Sequence, residues 1–143
     1  MIRSGDDYMR GLRDGRTVLF NGERVADVTT HPAFAAGVRT VAGLYDLARD
    51  PANRELMTYP SPRDGRPINK CWLVPRTRED LVARRRAIKF WADASYGFLG
   101  RSPDHVASFF AGFAGSPAFY ARSGQAFADN LMRFAAKAAD EDL

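Results

Sequence analysis

The chain is poor in the residues that do chemistry on their own. It has one cysteine, Cys71, and two histidines, His31 and His105, in 143 residues. A lone cysteine excludes an internal disulfide and suits a reducing compartment. Neither histidine has a partner at metal-ligand spacing, which excludes a zinc site. No apolar run reaches the length of a membrane-spanning helix. The opening Met1-Ile2-Arg3-Ser4-Gly5-Asp6-Asp7 has no apolar stretch of the signal-peptide kind. A soluble cytoplasmic protein with no membrane partner is therefore expected. Neither sign of charge dominates: 21 basic against 17 acidic residues leave a net +4, well mixed along the chain and too mild for nucleic acid. There is no internal repeat, glycine-rich phosphate loop, nucleophile elbow or pair of carboxylates at useful spacing.

What is abundant is apolar and aromatic. Ten phenylalanines and two tryptophans are many for one modest domain. They imply a dense core or apolar surface intended for other protein. Ser4 can cap a short helix with Asp6 and Asp7 in its first turn, ended by Gly15. Thr17-Val18-Leu19-Phe20, the turn Asn21-Gly22 and Arg24-Val25-Ala26-Asp27-Val28 read as a hairpin. A helix opened near Thr30 carries Phe34, Val38, Val41, Leu44, Tyr45 and Leu47 and stops at Asp50-Pro51. Residues 51–75 are punctuated by Pro60, Pro62, Gly65 and Pro67 and read as irregular, with Cys71-Trp72-Leu73-Val74 a short strand or extended segment.

Thr77 with Glu79 and Asp80 starts a strong helix. Leu81, Ile88, Trp91, Ala92 and Ser95 share its buried face, and Arg84, Arg85 and Arg86 are expected on a solvated one. A phenylalanine-rich helix follows, ended by Gly115-Ser116-Pro117. The last helix is expected from about Gln125 to Ala139, burying Phe127, Leu131, Phe134 and Ala138. Acids Asp140, Glu141 and Asp142 are unfavourable at its C-terminus, so no closing element is expected there.

The pivotal stretch is Gly100-Arg101-Ser102-Pro103-Asp104-His105. Ser102 reads as an N-cap, Pro103 as the first helical residue and Asp104 as a first-turn acid. Behind them Val106, Phe109, Phe110 and Phe113 are expected to anchor one helical face in the core. Arg101 and His105 at the helix mouth suit an anionic or phenolic oxygen. Two plainer roles stand beside that one: Arg101 capping a neighbouring helix, and His105 as a solvated first-turn residue.

Taken in order, several stretches resemble the N-terminal region of the 4-hydroxyphenylacetate 3-monooxygenase oxygenase family. They are Tyr8-Met9-Arg10-Gly11-Leu12-Arg13-Asp14-Gly15-Arg16, Asn21-Gly22-Glu23-Arg24-Val25, Asp27-Val28-Thr29-Thr30-His31-Pro32-Ala33-Phe34, Leu44-Tyr45-Asp46-Leu47, Val74-Pro75-Arg76-Thr77-Arg78-Glu79-Asp80-Leu81 and Gly100-Arg101-Ser102-Pro103-Asp104. The resemblance covers essentially the whole chain.

It implies a mostly α fold: the helical N-terminal domain, residues 1–143, of an acyl-CoA-dehydrogenase-like protein with one small β-hairpin. The family's middle β domain and C-terminal helical bundle are not in this sequence. Such enzymes take reduced flavin, FADH2, from a separate NAD(P)H-flavin reductase. They react it with O2 to a C4a-hydroperoxide, hydroxylate a phenolic substrate ortho to its hydroxyl, and assemble as homo-oligomers. The resemblance makes Arg101 and His105 catalytic candidates. It assigns substrate binding to Arg101, Ser102, Pro103, Asp104 and His105, and contact with FAD to Arg101. The hydroxyphenylacetate enzymes have tyrosine where this chain has His105, which opens the halophenol-hydroxylating branch. Nothing supplies the cysteine ligands of the related 4-hydroxybutyryl-CoA dehydratases. The alternative from a different class is a non-catalytic helical interaction module. Such a module should bury Phe109, Phe110, Phe113, Phe127 and Phe134 within itself, whereas one part of a larger enzyme should leave them exposed.

Overall fold

A computed structural model describes residues 2–143. Seven helices run in chain order: α1 Gly5–Gly11, α2 Ala35–Arg49, α3 Arg54–Met57, α4 Arg78–Ala94, α5 Asp104–Ala114, α6 Pro117–Ala121 and α7 Gln125–Glu141. Two antiparallel hairpins lie on this helical body: β1 Val18–Phe20 with β2 Glu23–Val25, and β3 Thr58–Pro60 with β4 Pro67–Asn69. The mostly helical class holds. The second hairpin is an addition inside the stretch read as irregular, where Pro60 pairs with Pro67 at the open end of a proline-bounded turn.

Local chemistry explains the starts. Ser4 accepts from the Asp7 backbone N–H at 3.0 Å while the Asp7 carboxylate accepts from the Ser4 N–H, a closed capping box. Thr77 and Asp80 repeat the arrangement on α4. Asn21 and Gly22 both take left-handed backbone, φ 53° and 83°, as a two-residue hairpin turn demands. Two boundaries differ from expectation. Helix α1 ends at Gly11 rather than Gly15, and α2 starts at Ala35 rather than near Thr30, whose N–H instead bonds Asp27 in a turn.

The core lies where α2, α3, α4, α5 and α7 meet the Lys70–Trp72 turn. Leu44, Met57, Cys71, Trp72, Trp91, Ala107 and Ala138 are buried together there. Trp91 donates its indole N–H to the Leu44 carbonyl at 2.8 Å, tying α4 to α2. Helix α1 docks on α2 at Gly5, where a Cβ would sit 2.6 Å from the Asp46 carboxylate and 2.7 Å from the Ala42 carbonyl. Glycine is required at that approach.

Helix α5 corrects the sequence reading. Its buried face is Asp104, Ala107, Ala111 and Ala114, while Val106, Phe109 and Phe113 stand exposed. Only Phe110 leans on the core. Small alanines let the α5 backbone approach the Lys70–Trp72 turn, and the large rings turn outward. Helix α7 departs in part: Ala138 is buried as expected and Ala128 with it, while Phe127 and Phe134 of the expected stripe are exposed. In α4, Trp91 faces inward as expected, but Leu81 faces solvent.

The chain's acidic end also departs from expectation. Asp142 takes a left-handed conformation, φ 52°, that closes α7. It is buried, accepting from the Trp72 indole at 3.2 Å and from the Arg3 backbone N–H at 3.1 Å. The Asn69 amide faces the same carboxylate without closing a hydrogen bond of standard geometry. Asp142 thus staples the first residues of the chain to the last helix.

Burial pushes the Asp142 carboxyl above its ordinary value, against the pull of these donors. A raised carboxyl favours the fold fully only below the ordinary aspartate value, and that contribution is lost as pH rises through the folded-state value. Asp142→Ala is therefore expected to lower the Tm most in acid, at a cost of about 1–3 kcal/mol for the orphaned donors. The gap to the parent should shrink as pH rises. Thermal unfolding of both chains across pH checks this, and a gap that widens toward alkaline pH contradicts it.

Candidate active-site cleft

Between α4 and α5 the chain turns sharply. Tyr96 and Gly97 are both left-handed, φ 53° and 70°, and the turn delivers Arg101 to the start of α5. The helix begins at Asp104 with Pro103 at the N-cap position and no side-chain cap. Ser102 is therefore not the N-cap: its hydroxyl instead donates to the Asp104 carboxylate. Pro103 lies just outside the first turn for the same reason.

The loop opens onto a cleft of about 280 Å³. Arg101, Ser102, Pro103, His105 and Val106 form one wall; Tyr8, Tyr45 and Trp72 form another; Phe134, Ala138 and Leu143 of the α7 end complete it. The structure thus brings four of the five motif residues to one cavity. Asp104 is the exception. It is buried and does not line the cleft, so it supports the loop rather than meeting a ligand there. A larger groove of about 560 Å³ beside the β1–β2 hairpin contains none of the motif residues.

The polar inventory of the cleft is short. Arg101 is exposed and makes no ion pair or hydrogen bond among the described residues. It neither caps a neighbouring helix nor answers a carboxylate. His105 is half-buried, with its ring edge-on to Phe109 at 5.1 Å. Tyr45 is 3% exposed, and Tyr8 stacks on it with ring centres 5.3 Å apart. Burial is the main reason the Tyr45 phenol is pushed up from its ordinary value, with the nearby Asp142 adding to it. The walls are otherwise hydrocarbon and indole, so a ligand here is aromatic or aliphatic with one polar end.

Arg84 was not legible in the sequence. Expected on a solvated face, it is half-buried and clamps α4 to α5. Its Nε and Nη2 donate to the Cys71 carbonyl at 3.0 and 2.7 Å, and Nη2 donates to the Ser108 hydroxyl at 2.9 Å. That clamp fixes α5, and with it His105, against the Lys70–Trp72 turn. Consecutive arginines carry no signal of which one points inward. The other histidine, His31, behaves as the turn residue expected: its Nδ1 accepts from the Ala33 N–H at 3.2 Å and its ring packs on Phe20 and Phe34.

The surface next to the cleft is aromatic. Rings follow one another from His105 through Phe109 and Phe113 to Tyr120 and Phe119, and Phe110 meets Phe134 at 4.8 Å. Phe109 is 53% exposed and Phe119 63%. Monomeric proteins rarely leave a connected apolar face of this kind to water.

Residues 4–143 match the family described as 4-hydroxyphenylacetate 3-hydroxylase N terminal, and the chain belongs to that family. It is 39% identical to the 4-hydroxyphenylacetate 3-monooxygenase oxygenase component of Thermus thermophilus, covering all of this chain and 29% of that protein. It is 41% identical to the oxygenase component of a 4-nitrophenol 2-monooxygenase from Rhodococcus, covering 92% of this chain and 25% of that one.

Among solved structures, an oxygenase component of 4-hydroxyphenylacetate 3-monooxygenase complexed with FAD and 4-hydroxyphenylacetate superposes with a TM-score of 0.88 at 39% identity, over 99% of this chain and 29% of that one. An archaeal 4-hydroxybutyryl-CoA dehydratase superposes at 0.82 with 25% identity, over 100% and 28%. The chain therefore spans less than a third of the length of these proteins.

Proposed function

We propose that this chain is the N-terminal domain of the oxygenase component of a two-component, flavin-dependent aromatic monooxygenase. It would hydroxylate a 4-hydroxyphenylacetate-like phenol ortho to its hydroxyl, using O2 and FADH2 from a separate NAD(P)H-flavin reductase. The observation that carries this reading is Arg101: a guanidinium with no partner among the described residues, at the rim of an apolar cleft of single-ring size. One oxygen atom of O2 enters the ring and the other leaves as water, with two electrons drawn from the reduced flavin.

The chain's own residues set up the phenol. An unperturbed phenol has a pKa near 10, and its deprotonated form is the electron-rich one. A fixed guanidinium stabilises that oxyanion without reorganising. His105, on the same wall, can hydrogen-bond the phenolic hydroxyl through a ring nitrogen. The hydrocarbon walls keep bulk water from the ring, and Ser102 and Pro103 shape the rim.

Fit to FAD is partial. The cleft suits one aromatic ring and is too small to enclose a dinucleotide. Arg101, on its open side, is the residue here that would touch the flavin, and the remainder of the flavin site would lie elsewhere in a longer polypeptide. The exposed rings of α5, α6 and α7 support that arrangement, because a self-contained interaction module would have buried them. We assign this face to contact with further domains of the same polypeptide, in a homo-oligomeric, cytoplasmic enzyme. His105, where the family resemblance implies a tyrosine, favours a second reading in which the phenol bears a halogen.

The test is direct. The intact polypeptide is supplied with FAD, NADH and a flavin reductase, then offered 4-hydroxyphenylacetate, 4-nitrophenol and a chlorophenol under labelled oxygen. A catechol-type product carrying one labelled atom supports the reading. NADH consumption with no hydroxylated product from any phenol rejects it.

A further inference from the structure

Tyr45 is the one buried polar group of the cleft that the reading above leaves idle. It lies in the middle of α2, and its ring is held from three sides. Tyr8 stacks on it from α1, the Arg3 guanidinium lies 5.9 Å from its ring centre, and Trp72 shares the wall beside it. Its hydroxyl makes no hydrogen bond among the described residues, yet it is not sealed in: among those residues the fully buried side-chain polar atom without a partner is Asn69 Nδ2. The Tyr45 oxygen therefore keeps some access in a residue that is 3% exposed overall. Trp72, in the same wall, is satisfied by Asp142. Tyr45 lines the same cavity as Arg101 and His105, so the cavity is where a partner can reach it.

We propose that the Tyr45 hydroxyl is a ligand-binding group of this cleft, donating a hydrogen bond to the oxygen of a bound phenolate alongside Arg101. This rests on the reading of the cleft as a phenol site and adds a specificity-determining residue to it. Donation, rather than acceptance, follows from the surroundings. Burial and the negative charge of Asp142 hold the phenol protonated far above neutral pH, and the opposing Arg3 is the weaker influence.

The other titratable groups facing Tyr45 are Tyr8 from α1 and Cys71 from the Lys70–Trp72 turn. Both stay neutral at ordinary pH: burial raises the Tyr8 phenol and the Cys71 thiol alike. Across the cleft stand Arg101 and His105. A neutral donor and a fixed cation on one oxygen favour the ionised ligand. They also discriminate against a ring that lacks the hydroxyl, which would leave Tyr45 unpaired.

The probe is 4-nitrophenol, whose ionised form is yellow, titrated against the intact, flavin-free polypeptide across pH. In the parent, the bound probe is expected to ionise at lower pH than the free one. Tyr45→Phe removes one oxygen atom and keeps the stacked ring. It should weaken binding of the ionised probe about tenfold and move the bound ionisation midpoint about one pH unit toward the free value, while unfolding stays within a few degrees of the parent. An unchanged midpoint and affinity in a folded Tyr45→Phe protein overturns the proposal. Arg101→Met, run in parallel, separates the two claims. If it alters the midpoint and Tyr45→Phe does not, the cleft binds phenols without Tyr45. If neither does, the phenol-site reading itself falls, and this inference with it.

Discussion

Arg101→Ala in the intact oxygenase is expected to cut phenol hydroxylation by about a hundredfold to a thousandfold, the usual loss when a positioned donor to a reacting oxyanion is removed. Reducing equivalents should not be saved in step. Without the cation, less of the bound phenol is ionised, so reduced flavin meets oxygen more often with no reactive ring in place, and hydrogen peroxide rises as product falls. The ratio of hydroxylated product to NADH consumed is therefore the informative quantity, more than rate alone.

Stability should hardly change. Arg101 is exposed and has no partner among the described residues, so alanine removes no folded-state contact of weight. Arg101→Lys should recover part of the coupling, because it restores charge without the planar fork. An alanine variant with parental coupling would remove Arg101 from the chemistry and leave family membership as a statement about fold.

The legible features were those written in short-range chemistry. The boxes at Ser4 and Thr77 and the Asn21-Gly22 turn depend on residues within three positions of each other, so the sequence states them outright. What failed depended on which of two plausible faces turns inward. Helix α5 is apolar on both sides, with alanines on one and phenylalanines on the other. Side-chain hydrophobicity favours burying the rings. Backbone proximity to the Lys70–Trp72 turn favours the alanines, and within this chain it prevails.

Arg84 and Asp142 failed for a second reason. Each has partners far along the chain: Cys71 and Ser108 for the first, Arg3 and Trp72 for the second. No local pattern distinguishes a buried, paired charge from a solvated one. The cleft was half legible. Its motif wall is contiguous in sequence and could be named, whereas Tyr8, Tyr45, Trp72 and Phe134 reach it only through the fold.

Trp91 joins the two kinds of information, and its removal is the largest stability loss expected. Helical spacing placed it on the buried face of α4, and it is 1% exposed in the cluster that holds Leu44 of α2 and Ala107 of α5. Trp91→Ala should cost about 3–5 kcal/mol, the range for emptying a large aromatic site in a core that cannot fully collapse. Against a total stability of about 5–15 kcal/mol, that is enough to unfold a marginal domain near physiological temperature. Trp91→Phe keeps most of the volume but loses the hydrogen bond to the Leu44 carbonyl, so about 1–2 kcal/mol is expected.

Urea unfolding of the three proteins reads both values, with parallel slopes showing that the same surface is exposed in each. A cost below about 1 kcal/mol for the alanine variant would show that α2, α4 and α5 are held together elsewhere. The ordering of the variants also bears on function. Ala107 of α5, two positions from His105, packs in the same cluster as Trp91, so a cavity there loosens the helix that carries the imidazole. Phenol affinity should then fall in Trp91→Ala under conditions where the protein is still folded, while in Trp91→Phe it should stay close to the parent.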